Sequence, residues 1–318
     1  MLDARAQPLG YGTSHAKVIL FGEHAALFGG PAIVWPLKQI AAESVIMSAA
    51  RRGITVVADS TASGRLVQQD ERSPLAIAAT EMLSVIDQPD ASLLVEVRSN
   101  IPVARGLGAS AAMAAAVVDG IAAAFQLTLS GEARFHAIQA AEMQAHGRSS
   151  GIDIHGVTSD LPIIVEGETV AELTPSGQFA LTIADSGIPS RTAESVSAVA
   201  RLVATDVGTQ DMQNLLGVCA TAVDTARKAW DPSVIGSLMH EAHSALRALG
   251  VSSHGIDRMV SAAAHVPGVH GVKVTGGGMG GSIVAMSTTD AAEKVAEALI
   301  SAGARHCWKV PVHAGVPV

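Results

Sequence analysis

Lys17 stands at the head of the apolar run KVILF, and the turn that follows, GEH, holds Glu23 and His24. A lysine in that position ordinarily lets its ammonium snorkel to water, and Glu23 and His24 alone read as turn residues. Further along, Glu142 falls on a helical stretch from about Glu132 to His146, where alone it reads as a solvated position. Asp153 closes the turn HGRSSGID at 146–153. Combined, these types suit one chemistry. Phosphoryl transfer needs a cradle for anionic phosphates, hard oxygen ligands for Mg²⁺, a cation for developing charge, and a group that orients or deprotonates the acceptor hydroxyl. Ser110 and Glu142 offer the oxygens, Lys17 the cation and Asp153 the carboxylate.

The cradle is RGLGASAA at 105–112. Gly106 and Gly108 flank Leu107, and Ala109 and Ser110 open an Ala-rich helix. Glycines let backbone N–H groups approach a ligand, and a helix N-terminus presents unpaired N–H groups and partial positive charge. Ser110 could cap that helix or bind Mg²⁺, and the segment alone reads equally well as a capping turn. It is neither a G-x-G-x-x-G dinucleotide fingerprint nor a G-x-x-x-x-G-K-[ST] loop. A second segment, KVTGGGMGGS at 273–282, has five glycines in six positions. A hairpin tip needs far fewer, so a ligand-lining loop is the better reading. A third, GRSSG at 147–151, leads into Ile152-Asp153. His240 and His243 have i,i+3 spacing but no evident third ligand, which argues against zinc.

The elements that must position these groups follow from patterning. Hydrophobic residues make up 48% of the 318 residues and charged residues 16%, which suits folded domains rather than disorder. Aromatics are only 3%, so the core must rest on aliphatic residues and on close packing around Ala and Gly. A net charge of −8 argues against general nucleic-acid binding. Two distant cysteines, Cys219 and Cys307, make no disulfide framework and fit a reducing cytoplasm. The apolar stretch 107–125 is Ala-rich and carries Asp119, so it reads as a buried helix and not a membrane span; no signal peptide is expected.

Strands are expected at 17–21, 31–38, 54–58, 93–99 and 161–165, with helices from Ser110 and from Glu132. A strand at 179–185 is followed by helices near 191–205, 209–229, 232–249 and 253–265. Two strands around the second glycine segment, a helix at 289–302 and a strand at 306–312 complete the pattern. This is α+β in two domains, with the division placed between 172 and 173.

The ordered segments KVILFGEHAALFGGPAI, IPVARGLGASAA and KVTGGGMGGSIVA resemble the three motifs of the GHMP kinases. Within that superfamily the chain is most similar to the mevalonate kinases. Small and apolar residues, Ala25 to Phe28, follow Glu23-His24 where galactokinase-like enzymes carry an Asp-Tyr pair. Met279-Gly280-Gly281-Ser282 and HGRSSGID also resemble mevalonate kinases, whereas phosphomevalonate kinases usually have an acidic residue after the glycine run. The resemblance implies a two-domain α+β fold with the site in the interdomain cleft. It implies Asp153 as catalytic base with Lys17 as its electrostatic partner, and Mg²⁺ on Ser110 and Glu142. It places the ATP phosphates on Gly106, Leu107, Gly108, Ala109 and Ser110, and mevalonate against His24 with Glu23 beside it. A homodimer is part of the same expectation; the alternatives are a phosphomevalonate kinase or another GHMP small-molecule kinase, and a non-catalytic ATP-binding regulatory protein on this fold. Three departures stand out. Ser14-His15-Ala16 replaces Ala-Pro-Gly, as in some bacterial mevalonate kinases; Ala109 replaces a serine, and Ser149 a proline.

Overall fold

The computed structural model describes residues 7–59, 65–146 and 150–313. In chain order the elements are β1 (Gly10–Phe21), β2 (Ala32–Ser48), β3 (Ile54–Asp59), β4 (Val67–Gln68), α1 (Pro74–Val85), β5 (Leu93–Ser99), α2 (Ala109–Ala124), α3 (Gly131–His146) and α4 (Ile152–Thr158). There follow β6 (Ile163–Glu166), β7 (Thr169–Glu172), β8 (Phe179–Asp185), α5 (Thr192–Val203), α6 (Asp206–Lys228), α7 (Pro232–Ala248) and α8 (His254–Ala264). The last elements are β9 (Val269–Thr275), β10 (Ser282–Ser287), α9 (Ala292–Ser301) and β11 (His306–Val312).

The chain forms two compact units, and they interleave in sequence. The first comprises residues 1–16, 37–103 and 108–158; the second comprises 17–36, 104–107 and 159–318. β1 and β2 each contribute residues to both units. Pro36, which cannot donate to a ladder, ends the second unit's share of β2. It lies between the stretch paired to β6 (Ala32–Val34) and the stretch paired to β5 (Ala42–Ser48).

In the first unit, β5 pairs β2 antiparallel and β3 in parallel, and β3 carries β4 at its other edge. Leu93, Val95 and Val97 alternate inward along β5, as the two-residue period of a strand requires. The helix α2 lies directly on strand backbone. A Cβ on Gly12 would sit 2.0 Å from Ala116 O, one on Gly10 2.4 Å from Ala124 N, and one on Gly120 2.3 Å from Ser44 Oγ. Ser44 Oγ donates to Ala116 O at 2.6 Å. Small residues at 116, 120 and 124, one helical turn apart, thus allow this approach. Within the apolar stretch 107–125, Ala109–Ala124 therefore forms a helix buried in the unit; among the described residues no helix is long and apolar enough to cross a membrane.

In the second unit a four-stranded antiparallel sheet has the order β11-β8-β10-β9. All seven residues of β8 are buried, as an inner strand covered on both faces should be. Trp35 on β2, Phe179 on β8 and Trp230 after α6 form one aromatic cluster, with ring centroids 5.6–5.9 Å apart.

Candidate active site

Lys17 begins the second unit's part of β1 and is 1% exposed, so its ammonium does not reach water. Its Nζ donates to Gly106 O at 2.9 Å, and its amide N–H donates to Leu107 O at 3.1 Å. Two residues on, Ile19 N–H donates to Thr275 Oγ1 at 3.1 Å, and that hydroxyl donates to Ile19 O at 3.0 Å. One strand thereby grips two glycine segments. They meet backbone to backbone: Gly106 and Gly276 both have φ +75°, and a Cβ on Gly276 would lie 2.7 Å from Gly106 Cα. Only glycine fits there.

Arg105, also buried, holds the same loop to the end of β8. Its Nε lies 2.6 Å from Asp185 Oδ1 and its Nη2 donates to Gly187 O at 3.1 Å. The glycine run after β9 is packed rather than open. Gly277, Gly278 and Gly280 each face an atom of Thr192, Val251 or Pro189 that a Cβ would approach to 2.2–2.5 Å. Close packing requires these glycines.

Glu23 is not a turn-capping residue. It is buried and ion-paired to Lys273 of β9, whose Nζ also donates to Val274 O at 2.6 Å. Burial pushes the Glu23 carboxyl up, against the pull of the Lys273 ammonium. Lys273 opens the KVTGGGMGGS segment and is a functional-site neighbour that the motif itself does not single out. Its signal in the sequence is a lone charge inside the apolar strand VHGVKVT. His24 has φ +58° and heads the 3-10 turn Ala25–Phe28. Burial pushes its imidazole down, with a smaller opposing effect from Gly277 O, so the ring is neutral at pH 7. Nε2 lies 3.2 Å from Gly277 O, which can only accept. Nδ1 is then the lone-pair nitrogen, and it is buried with no hydrogen-bond partner among the described residues.

Cys219, close to Glu23, is a buried thiol pushed up to about 12 by burial and by the Glu23 charge. His243 is also spoken for. Its Nδ1 accepts from Val274 N–H at 3.4 Å and its Nε2 lies 3.5 Å from Asp257 Oδ1.

The chain passes into the first unit between Leu107 and Gly108. Gly108, φ +77°, is the residue before α2, so Ser110 stands inside the first turn and is not the cap. The first i to i−4 bond runs from Ala112 N–H to Gly108 O at 2.9 Å. The N–H groups of Ala109, Ser110 and Ala111 precede it, the arrangement an anion cradle needs. Leu107 contributes backbone only, its side chain being buried. Glu142 on α3 is 3% exposed, which overturns the solvated reading. Asp153 is half-buried in the first turn of α4, so the expected turn is already helical by Ile152. Residues 147–149 of that turn, Ser149 among them, lie outside the described residues. Thus Lys17, Glu23, His24, Gly106 and Leu107 belong to the second unit, and Gly108, Ala109, Ser110, Glu142 and Asp153 to the first.

The model for the N-terminal domain of GHMP kinases matches residues 75–159, and that for their C-terminal domain matches 226–305. The fold is that of a GHMP kinase. The chain is 29% identical to a mevalonate kinase of Pyrococcus furiosus, over 91% of this chain and 92% of that one. It is 30% identical to a mevalonate kinase of Archaeoglobus fulgidus, over 84% and 88%. Its fold is similar to that of L. major mevalonate kinase in complex with R-mevalonate, with a TM-score of 0.80, 22% identity, and 98% and 99% of the two chains covered. The chain belongs to the mevalonate kinase family of the GHMP kinases.

Proposed function

We propose that this chain transfers the γ-phosphoryl group of ATP to the C5 hydroxyl of mevalonate, giving 5-phosphomevalonate. The observation that carries this reading is similarity to mevalonate kinases along nearly the whole chain. Lys17, Ser110, Glu142 and Asp153 stand in β1, α2, α3 and α4, and His24 in the turn just before Ala25. In the proposal the backbone N–H groups at the start of α2, with Gly106 and Leu107 before them, hold the phosphates. Ser110 and Glu142 offer hard oxygens to Mg²⁺, an ion that needs only one or two protein ligands besides phosphate and water. Buried Glu142 fits that task better than a surface role. Mg²⁺, when bound, neutralises charge on the phosphates.

Asp153 accepts the hydroxyl proton or orients the hydroxyl for attack, and a loose transition state permits either. Lys17 supplies positive charge as negative charge develops. His24 presents the Nδ1 lone pair to a substrate hydroxyl, and the Glu23–Lys273 pair holds the turn that carries it. A cytoplasmic location and a homodimer belong to the same proposal.

The test is ADP release with mevalonate and with phosphomevalonate, in the native chain and in Asp153→Asn. Turnover with mevalonate, lowered about 10²–10⁴-fold in the variant, is the expected result. Turnover only with phosphomevalonate, or an unaffected variant, contradicts the reading.

A further inference from the structure

The short helix α4, which carries Asp153, is held at both ends by two adjacent residues of α3. At its start, Gly151 has φ +76°, and a Cβ there would lie 3.0–3.1 Å from the ring of Phe135. The Phe135 ring also stacks on His155, with centroids 4.8 Å apart and planes 24° from parallel. Phe135 therefore covers the residues on both sides of Asp153 in sequence, Gly151 two before it and His155 two after it. At the end of α4, Arg134 Nη1 donates to Thr158 O at 3.4 Å, while its Nη2 bonds Asp119 Oδ2 of α2 at 2.5 Å. Ser14 Oγ of β1 donates to Val157 O at 2.7 Å.

A helix of seven residues has little stability of its own, so its attitude is set by what it packs on. All of these groups belong to the first unit.

We propose that Phe135 and Arg134 are positioning residues for Asp153: the aromatic ring fixes the first turn of α4 and the guanidinium fixes its last carbonyl. The proposal rests on the reading of Asp153 given above. Neither residue is required to touch either substrate. Arg134 also ties α4 to α2, whose first turn carries Ser110, so one guanidinium serves both elements. Displacing a reacting group by about 1 Å can cost about 10²-fold in rate, so a loosened α4 should appear in kcat and leave substrate binding intact.

The experiment compares Phe135→Leu, Phe135→Tyr, Asp153→Asn and the double variant Phe135→Leu/Asp153→Asn by steady-state kinetics, each first checked by thermal melting. Phe135→Leu should lower kcat by about 10–10²-fold with KM for ATP and mevalonate held within about two-fold. Phe135→Tyr, which keeps the stacked ring, should recover most of the loss. In the Asp153→Asn background Phe135→Leu should cost almost nothing more, because the group it positions is already gone. Full multiplicative loss in the double variant, or undiminished kcat in folded Phe135→Leu, overturns the proposal while leaving the role of Asp153 intact. Undiminished turnover in Asp153→Asn instead removes that role, and this proposal with it. If Phe135→Leu does not fold, Arg134→Gln is put through the same cycle under the same criteria.

Discussion

The ammonium of Lys17 donates to Gly106 O at 2.9 Å while the Lys17 amide donates to Leu107 O, so one residue holds the glycine loop by side chain and backbone together. Lys17 is consequently fixed in place with its charge buried, at the point where the loop leads to the first turn of α2.

Replacing it with an isosteric apolar residue, Lys17→Met, removes the charge and one of the two tethers. If the ammonium stabilises developing charge, kcat should fall by about 10²–10³-fold, as for loss of one preorganised donor. Steady-state kinetics on the folded variant check this, and a kcat within a few-fold of the native value would take Lys17 out of the chemistry.

Glu23 and Lys273 form an ion pair whose side chains are 1% and 0% exposed. Breaking such a pair from one side leaves an uncompensated buried charge and typically costs about 3–5 kcal/mol, whereas replacing both partners by apolar groups is far milder. Urea melts of Lys273→Met should show that loss, and Glu23→Met/Lys273→Met should recover much of it. Equal loss in both would mean that pairing is not what the site depends on.

Stability should also fall on acidification because of His243. Burial, together with the nearby Lys273 charge, pushes its imidazole down from 6.5 to about 4. Between those values the unfolded chain takes up a proton that the folded chain refuses. Stability present above pH 6.5 is therefore lost as pH falls through this window, at up to about 1.4 kcal/mol per unit from this group. Urea midpoints at pH 7, 6 and 5 should converge more for His243→Gln than for the native chain. A parallel dependence in both would assign the loss to other groups.

Two left-handed glycines separate backbone strain from packing. Gly29, φ +82°, has open space where a Cβ would go. Gly29→Ala should cost about 1–2 kcal/mol from the left-handed conformation alone. Gly276→Ala adds a clash with Gly106 Cα and should cost more, with kcat falling as the loop is displaced. Equal melting temperatures for the two variants would argue that the loops move apart freely.

Much of this was legible in the sequence. The elements from Phe179 onward lie within a few residues of their expected positions, because their helices are amphipathic and capped, as by Thr205, Asp231 and Ser253. The early part was harder. β1 and β2 run through Gly10, Gly12 and Pro36, residues that read locally as breakers; the two glycines are there because α2 lies on them. The helix α1 is not evident from patterning although Ser73 caps it and Pro74 opens it, because apolar residues off the buried face, Ile77 and Val85, blur the stripe of Leu75, Ala76, Ala78, Ala79, Met82 and Leu83. Among site residues, types and order were readable but surroundings were not. No spacing rule announces that Glu23 pairs with a lysine 250 positions away, or that Phe135 lies against Gly151.

The central claim is the transfer itself, and phosphorus NMR of the product tests it most directly. Incubated with MgATP and mevalonate, the chain should yield ADP and one new phosphomonoester resonance coupled to the C5 methylene protons of mevalonate. Release of inorganic phosphate alone, or an unchanged ATP spectrum under conditions where ATP binding is independently measured, would contradict the account.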